Sequence, residues 1–409
     1  MVQITGGITL GGGITLTSGS GGGGGGGGSS TWIVVGANEK TVGSNSEQGA
    51  AYVFDASSLS SSPTKLTDSG GAALDKFGER VAAYGDTIVV SAPSVDTDST
   101  DIDTGRVFVY DGSNLSSAPT ELGPSGLSNG DKFGDALAVS NSHIVVGAPF
   151  RDVDGQANEG QVFVYDRSNV SATPTTLTLS DLTGGDQFGY GLAASDDYIV
   201  VTAPFKHFNS NDDMGAAYVF DATDLSASAT KILALYPSGR IANARFGWTG
   251  AAIAGDHIII PQSRENSNQG AVYVYDGTSL NSDPTRLTDP NGASGDQFGS
   301  SVAADGTTLV VGAYLDDAGG TNTGSIFVYD LDNLSTAPTV LTVSGNSSNE
   351  YLGYSVSIQN GYIVAGAWND GTGGSAWVWD ASDLSAAPTE ITASDAASGD
   401  RFGWSVAVG

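Results

Sequence analysis

The sequence predicts an all-β fold, a seven-bladed β-propeller of four-stranded blades, and three observations carry that prediction. Short Val/Ile/Ala-rich runs bounded by Gly, Asn, Asp or Pro recur along the chain, with no sustained helical period. One unit, plainest between Phe133 and Asp166 as FGDALAVS, HIVVGAPF and GQVFVYD, returns at a spacing of roughly 50–58 residues, the mark of a propeller blade. The two ends of the repeated region are complementary fragments of that unit.

The first strand of the unit opens with Phe-Gly, at Phe77, Phe133, Phe188, Phe246, Phe298 and Phe402, with Leu352-Gly353 standing in once. A tight turn joins it to a second, continuously apolar strand such as Val145 to Ala148. The third strand is aromatic and ends in an aspartate, at Asp55, Asp111, Asp166, Asp221, Asp276, Asp330 and Asp380. Its aromatic pairs, as in Phe108/Tyr110, Phe163/Tyr165 and Trp377/Trp379, fall at i and i+2 on one strand face, where they fill the gap between blades. A fourth, weaker strand follows. After Asp111 comes GSNLSSAPTEL, whose Pro119 suits an outer strand with N–H groups that need no partner.

The first copy begins at Trp32 without a Phe-Gly strand, and the last is only a Phe-Gly strand, Phe402 to Gly409. The expected ring is closed by the C-terminal strand completing the N-terminal blade, which removes an exposed sheet edge. The chain then divides into a Gly-rich leader, 1–31, and a propeller, 32–409.

A formal charge of −30 with 15 Lys+Arg argues against nucleic acid or an anionic membrane as partner, since both need a basic surface. The chain has no Cys, which removes disulfides and thiol chemistry. The leader repeats an Ile-Thr-Leu triplet between glycines and carries an unbroken glycine tract from Gly21 to Gly28. One reading is a disordered leader. The other is an anchoring arm whose Ile4, Ile8, Leu10, Ile14 and Leu16 add as a strand to another subunit, with polyglycine as the leash. The start is not basic and has no long apolar run, so neither a secretory signal nor membrane insertion is expected.

The order Phe-Gly, then Val145 to Pro149 as Val-Val-Gly-Ala-Pro, then Gly160 to Tyr165 as Gly-x-Val-Phe-Val-Tyr, resembles the FG-GAP repeat of integrin α-subunit propellers and of bacterial and viral surface proteins. The resemblance covers 32–409 and implies a seven-bladed propeller used for adhesion or scaffolding. The leader is similar to the glycine-rich N-termini of virion proteins of marine bacteriophages. Many members of the FG-GAP family carry an Asp-rich calcium loop between the Phe-Gly and Gly-Ala-Pro strands. Here that junction is a tight turn, as at Gly85-Asp86 and Asn141-Ser142, too poor in carboxylates to give calcium its six to eight oxygens. No cofactor is expected there.

Asp96, Asp98, Asp101 and Asp103 share one loop and form the candidate metal group, read either as converging on a cation or as a solvated acidic loop. Asp152-x-Asp154-Gly155 is a shorter candidate. Strand alternation puts the tight turns and the near-uniform Asp-x-x-x-Leu-Ser-x-x-Pro-Thr connections on one face. The loops of variable length and charge lie on the other, where recognition on a rigid ring is expected. There Arg240, Arg245 and Arg264, with Lys206 and His207, gather much of a scarce positive charge, in the repeat where Pro261 follows Ile260 without Gly-Ala. They suit an acidic glycan or acidic protein ligand, or else neutralise nearby aspartates within the ring. Trp368, in the Pro position of Gly-Ala-Pro, is placed to stack on a sugar or to pack at the loop mouth.

Catalysis has little support: two of the three histidines, His143 and His257, occupy one tolerant repeat position, and no nucleophile elbow, phosphate loop or zinc motif occurs. A carboxylate pair for glycoside hydrolysis is decided by the fold rather than by spacing. The expectation is a non-enzymatic virion structural or surface-attachment protein, a capsid decoration or tail-associated propeller at the virion surface. It binds another virion or surface protein through residues 1–31. The alternatives are a secreted or cell-surface bacterial adhesion module and a self-associating structural subunit.

Overall fold

The computed structural model describes residues 30–96, 103–207, 213–233, 245–343 and 348–409. Seven four-stranded antiparallel sheets stand around a ring, each strand hydrogen-bonded to its neighbours in chain order except at the seam. Blade 3 is typical, with Ala136–Val139 innermost, then His143–Ala148, Gln161–Asp166 and Thr175–Leu177 outermost. The innermost strands of neighbouring blades touch one another around the circle and enclose a central channel. Blade 1 is built from Trp32–Ala37, Ala50–Asp55 and Thr64–Leu66, and Phe402–Val408 supplies its innermost strand, pairing antiparallel with Trp32–Ala37.

Burial explains the sequence pattern of each strand. Second strands are covered on both faces by adjacent blades, so they read as unbroken apolar runs: Ile88, Val89 and Val90 are fully buried, as are Ile144, Val145 and Val146. Outer strands bury one residue in three, which is why Thr-Glu-Leu and Thr-Lys-Leu suffice there. The apolar side chains sort into seven clusters, each drawn from two adjacent blades.

The Phe-Gly pair sits differently from the sequence reading. In blades 2 to 7 the pair precedes the inner strand instead of starting it; Phe133-Gly134, for example, lies ahead of Ala136–Val139. The phenylalanine is fully buried and meets the third-strand aromatic edge-on, as Phe133 meets Phe163 at 5.5 Å. The glycine has a left-handed φ, +87° at Gly78 and +93° at Gly189, and its main chain lies against the second strand of the previous blade. A Cβ on Gly36 or Gly147 would overlap the carbonyl of Gly78 or Gly189, so blade meets blade as backbone on backbone there, whereas Ser91, Thr202 and Pro261 face the glycine at three other joints.

One face of the ring is uniform. Each third strand ends in an aspartate that accepts the backbone N–H two residues on, from Ser57, Ser113, Ser168, Thr223, Thr278, Asp332 and Ser382, which tightens the same turn in every blade.

Candidate functional site

The loops that follow second strands, and the crossings from one blade's outer strand to the next blade's inner strand, open on the other face. Tyr190, Trp248, Tyr354 and Trp404 follow the Phe-Gly or Leu-Gly pair in four blades. With Arg80 and Tyr314 they line a cavity of about 450 Å3 in the channel. In the other three blades the same position is Glu79, Asp135 or Ser300.

The rings form two packed groups. Tyr190 stacks on Trp248 at 5.0 Å, with Phe205 edge-on to both. Tyr354 packs against Trp404 at 4.7 Å and against Tyr314 at 5.3 Å. Guanidinium groups cover them: Arg245 lies 4.6 Å from the Phe205 ring centre and 4.5 Å from that of Trp248, Arg264 4.8 Å from Trp248, and Arg401 4.9 Å from Trp368. Glu79 accepts from Asn38 Nδ2 at 2.6 Å and from Trp404 Nε1 at 3.0 Å. Arg80 Nε donates to the Asp135 carbonyl at 3.0 Å. Burial pushes the Tyr190 hydroxyl up and Asp135 adds to this, while Arg80, Arg245 and Arg264 all pull it down, so three guanidinium groups lie within electrostatic reach of one phenol.

A second arrangement repeats beneath the loops. In blade 4, buried Lys206 Nζ lies 2.7 Å from Asp186 Oδ2 and also donates to the Asp181 carbonyl, and Lys231 holds Asp181 at 2.6 Å. Blade 1 repeats it, with Lys40 on Asp400 at 2.8 Å and Lys65 on Asp395 at 2.8 Å; in blade 3, Arg151 meets Asp131 at 3.0 Å. In blade 6 the position of Lys40, Arg151 and Lys206 is Asp316, and that of Lys65 and Lys231 is Val340. Oxygens of Asp289, Asp296 and Asp316 there lie within 4.8 Å of one another. All three residues are buried, and burial, with Asp316 close by, pushes Asp289 and Asp296 above the usual carboxylate range. These three residues have the donor chemistry to hold a divalent cation. They supply three side chains toward the six to eight oxygens that calcium takes.

The residues singled out from sequence fall into three sets. Arg245 and Arg264 come together on Trp248, and Arg245 also meets Asp213 at 3.3 Å. Lys206 is committed to the buried pair with Asp186, and His207 lies 3.4 Å from Asp213. Trp368 is half-buried, stacked on Tyr351 at 5.2 Å beneath Arg401. Asp103 donates its N–H to Asp96 Oδ1 at 3.0 Å, and Asp152 Oδ1 accepts from Asn158 N at 2.9 Å, which closes these acidic loops on themselves. Arg240, Asp98, Asp101 and the leader residues Ile4, Ile8, Leu10, Ile14 and Leu16 lie outside the described residues. Arg80, Tyr190 and Trp248 were not among the sequence candidates; aligning the residue after Phe-Gly across the copies finds the last two.

A closed ring of seven repeats, with one uniform and one varied face, defines a repeat-built β-propeller, a fold that can act as a binding scaffold. The chain belongs to the FG-GAP repeat family, which it matches at 61–110, 120–165, 174–220, 282–329, 338–379 and 388–409. The matched segments pass over 221–281, which hold most of blade 5 and with it Trp248 and Arg264. No curated protein matches the sequence. Among solved structures the chain is similar to the crystal structure of TolB from Acinetobacter baumannii, at 14% identity and a TM-score of 0.46, over 92% of this chain and 82% of that one.

Proposed function

We propose that this chain is a non-enzymatic virion structural or surface-attachment protein, a capsid decoration or tail-associated propeller that uses its ring as a binding scaffold. The observation that carries the reading is the contrast between the faces. Seven aspartate-capped turns of one kind make a regular seat, while the opposite face concentrates aromatic and arginine side chains at the channel mouth. In this reading residues 1–31 tie the ring to another virion or surface protein and the varied face meets a glycan or protein ligand, at the virion surface. The three histidines stand in separate places, at the start of second strands in blades 3 and 5 and in a blade 4 loop, which supports binding rather than catalysis.

Electron microscopy of the protein in its source material is the test. The expected result is the ring on a symmetric particle, uniform face inward, with density for 1–31 against a neighbouring protein. A ring found free or on cells overturns it in favour of a secreted or cell-surface adhesion module. A lattice of rings alone points to a self-associating subunit.

A further inference from the structure

We propose that the channel mouth at blades 4 and 5 binds an acidic saccharide, with Arg264, Arg245 and Arg80 taking its oxyanion. The inference rests on the reading of the varied face as a ligand-binding surface and names the ligand class.

Positive charge is scarce in this chain, with 15 Lys+Arg against 45 Asp+Glu, and most basic side chains are spent on a carboxylate. Arg264 is not. It is exposed, it rests on the Trp248 ring, and no carboxylate among the described residues lies within ion-pair distance of it. Partial desolvation and the neighbouring Arg245 disfavour its charge, against smaller opposing effects of Tyr190, Tyr314 and Asp213. From blade 2, Arg80 lies within electrostatic reach of the same phenol, Tyr190, as Arg264 and Arg245 do. Its Nε is bound to a backbone carbonyl, and its guanidinium lines the cavity with no ion pair among the described residues.

Buried polar groups without partners gather beside Arg264. Among the described residues the amide of Gln262, fully buried, finds a partner for neither its nitrogen nor its oxygen, and the adjacent Ser263 hydroxyl and Arg245 Nε find none either. Blade 5 is also where backbone strain collects. Asn266, Ser267 and Asn268 are consecutive left-handed residues in the turn that carries Arg264.

The ligand class follows from shape and chemistry. A cavity of about 450 Å3 is of small-molecule size and admits sugar rings. Half-buried Tyr190, Trp248, Tyr314 and Tyr354, packed on one another and under guanidinium groups, line the cavity wall with aromatic surface for a pyranose, and planar guanidinium groups take a carboxylate or sulfate in bidentate fashion.

The test is calorimetric titration of the full chain with four probes: a uronic acid trisaccharide, a sulfated disaccharide, a neutral glucan trisaccharide and a hexaglutamate peptide. Binding of either acidic saccharide and not of the neutral one supports the proposal, and comparing the two acidic arms tells carboxylate from sulfate. Arg264→Gln, at an exposed position, is expected to weaken binding at least tenfold with an unchanged Tm, Arg264→Lys to recover part of it, and Arg167→Gln on the opposite face to leave it intact. No saccharide binding, equal binding of the neutral sugar, preference for the peptide, or an Arg264→Gln variant that binds normally would each overturn it. A ring seated on a particle that binds no saccharide sinks this inference alone; saccharide binding by a ring absent from particles sinks only the virion reading.

Discussion

Trp32 and Gly409 exchange both of their backbone hydrogen bonds, Trp32 N–H to Gly409 O at 2.8 Å and Gly409 N–H to Trp32 O at 2.9 Å. The ring is closed through this pair and the strand beside it. Phe402, Val406 and Val408 enter the same cluster as Ile33, Tyr52 and Val364, so the seam is packed as well as paired.

Deleting Phe402 to Gly409 is therefore expected to give aggregated or poorly folded protein, because it opens a sheet edge and empties the junction between blades 7 and 1. Size-exclusion chromatography and thermal melting decide it. A monomer of unchanged Tm would show that the seam is dispensable.

Gly78→Ala tests the blade joint. The new Cβ would meet the Ala50 carbonyl at a φ of +87°, and left-handed strain plus overpacking should cost about 2–5 kcal/mol. Urea unfolding measures this, and a loss within error would mean that the joint yields.

Lys206→Met leaves Asp186 fully buried without its ammonium partner, a loss of about 3–5 kcal/mol at neutral pH. Lys206→Met/Asp186→Asn should regain much of it. A single variant as stable as the parent would mean that Asp186 finds another partner.

Asp316→Lys restores to blade 6 the cation that blades 1 and 4 possess, and is expected to stabilise by about 1–3 kcal/mol in metal-free buffer. It should also change the pH response. Because the folded-state pKa values of Asp289 and Asp296 are raised, their contribution to stability is full below the ordinary carboxylate range and is lost as pH rises through the shifted values. Denaturation midpoints between pH 4 and pH 8 should show this decline in the parent and a smaller one in Asp316→Lys. Equal slopes would refute the account.

Asp395 behaves in the opposite sense. Burial pushes its carboxyl up, but Lys65, Tyr52 and Lys40 outweigh this and hold it at about 2. Its contribution is present above the unfolded carboxylate pKa of about 4 and is lost as pH falls toward 2. Asp395→Asn should therefore lower the Tm at pH 6 and leave it nearly unchanged at pH 2; the same difference at both would count against the pairing.

The fold was legible because each blade repeats the same burial pattern: a second strand covered on both faces reads as Ile-Val-Val wherever it occurs, and Trp32 and Phe402 announce the seam. The Phe-Gly pair was misplaced by a few residues because its glycine is fixed by contact with the preceding blade, which local sequence does not express. The site was legible in part. Arg245 and Arg264 lie close in sequence and share Trp248, whereas Arg80 arrives from blade 2 across the channel, a convergence that only the closed ring creates. For Lys206 the sequence left open a ligand-binding charge or a neutraliser of nearby aspartates, and the second holds: its partners, Asp181 and Asp186, sit in the preceding crossing, where spacing alone does not identify them.

At four of the seven Phe-Gly joints, Gly36–Gly78, Gly147–Gly189, Gly312–Gly353 and Gly366–Gly403, bare main chain separates the blades, so there the angular step around the circle depends on the thickness of a polypeptide rather than on the bulk of a side chain. Loops on the varied face can then be traded between sectors, lengthened or re-charged without altering the pitch of the wheel. Recognition in this protein is in that sense interchangeable by sector, like tiles on a frame whose spacing was fixed beforehand.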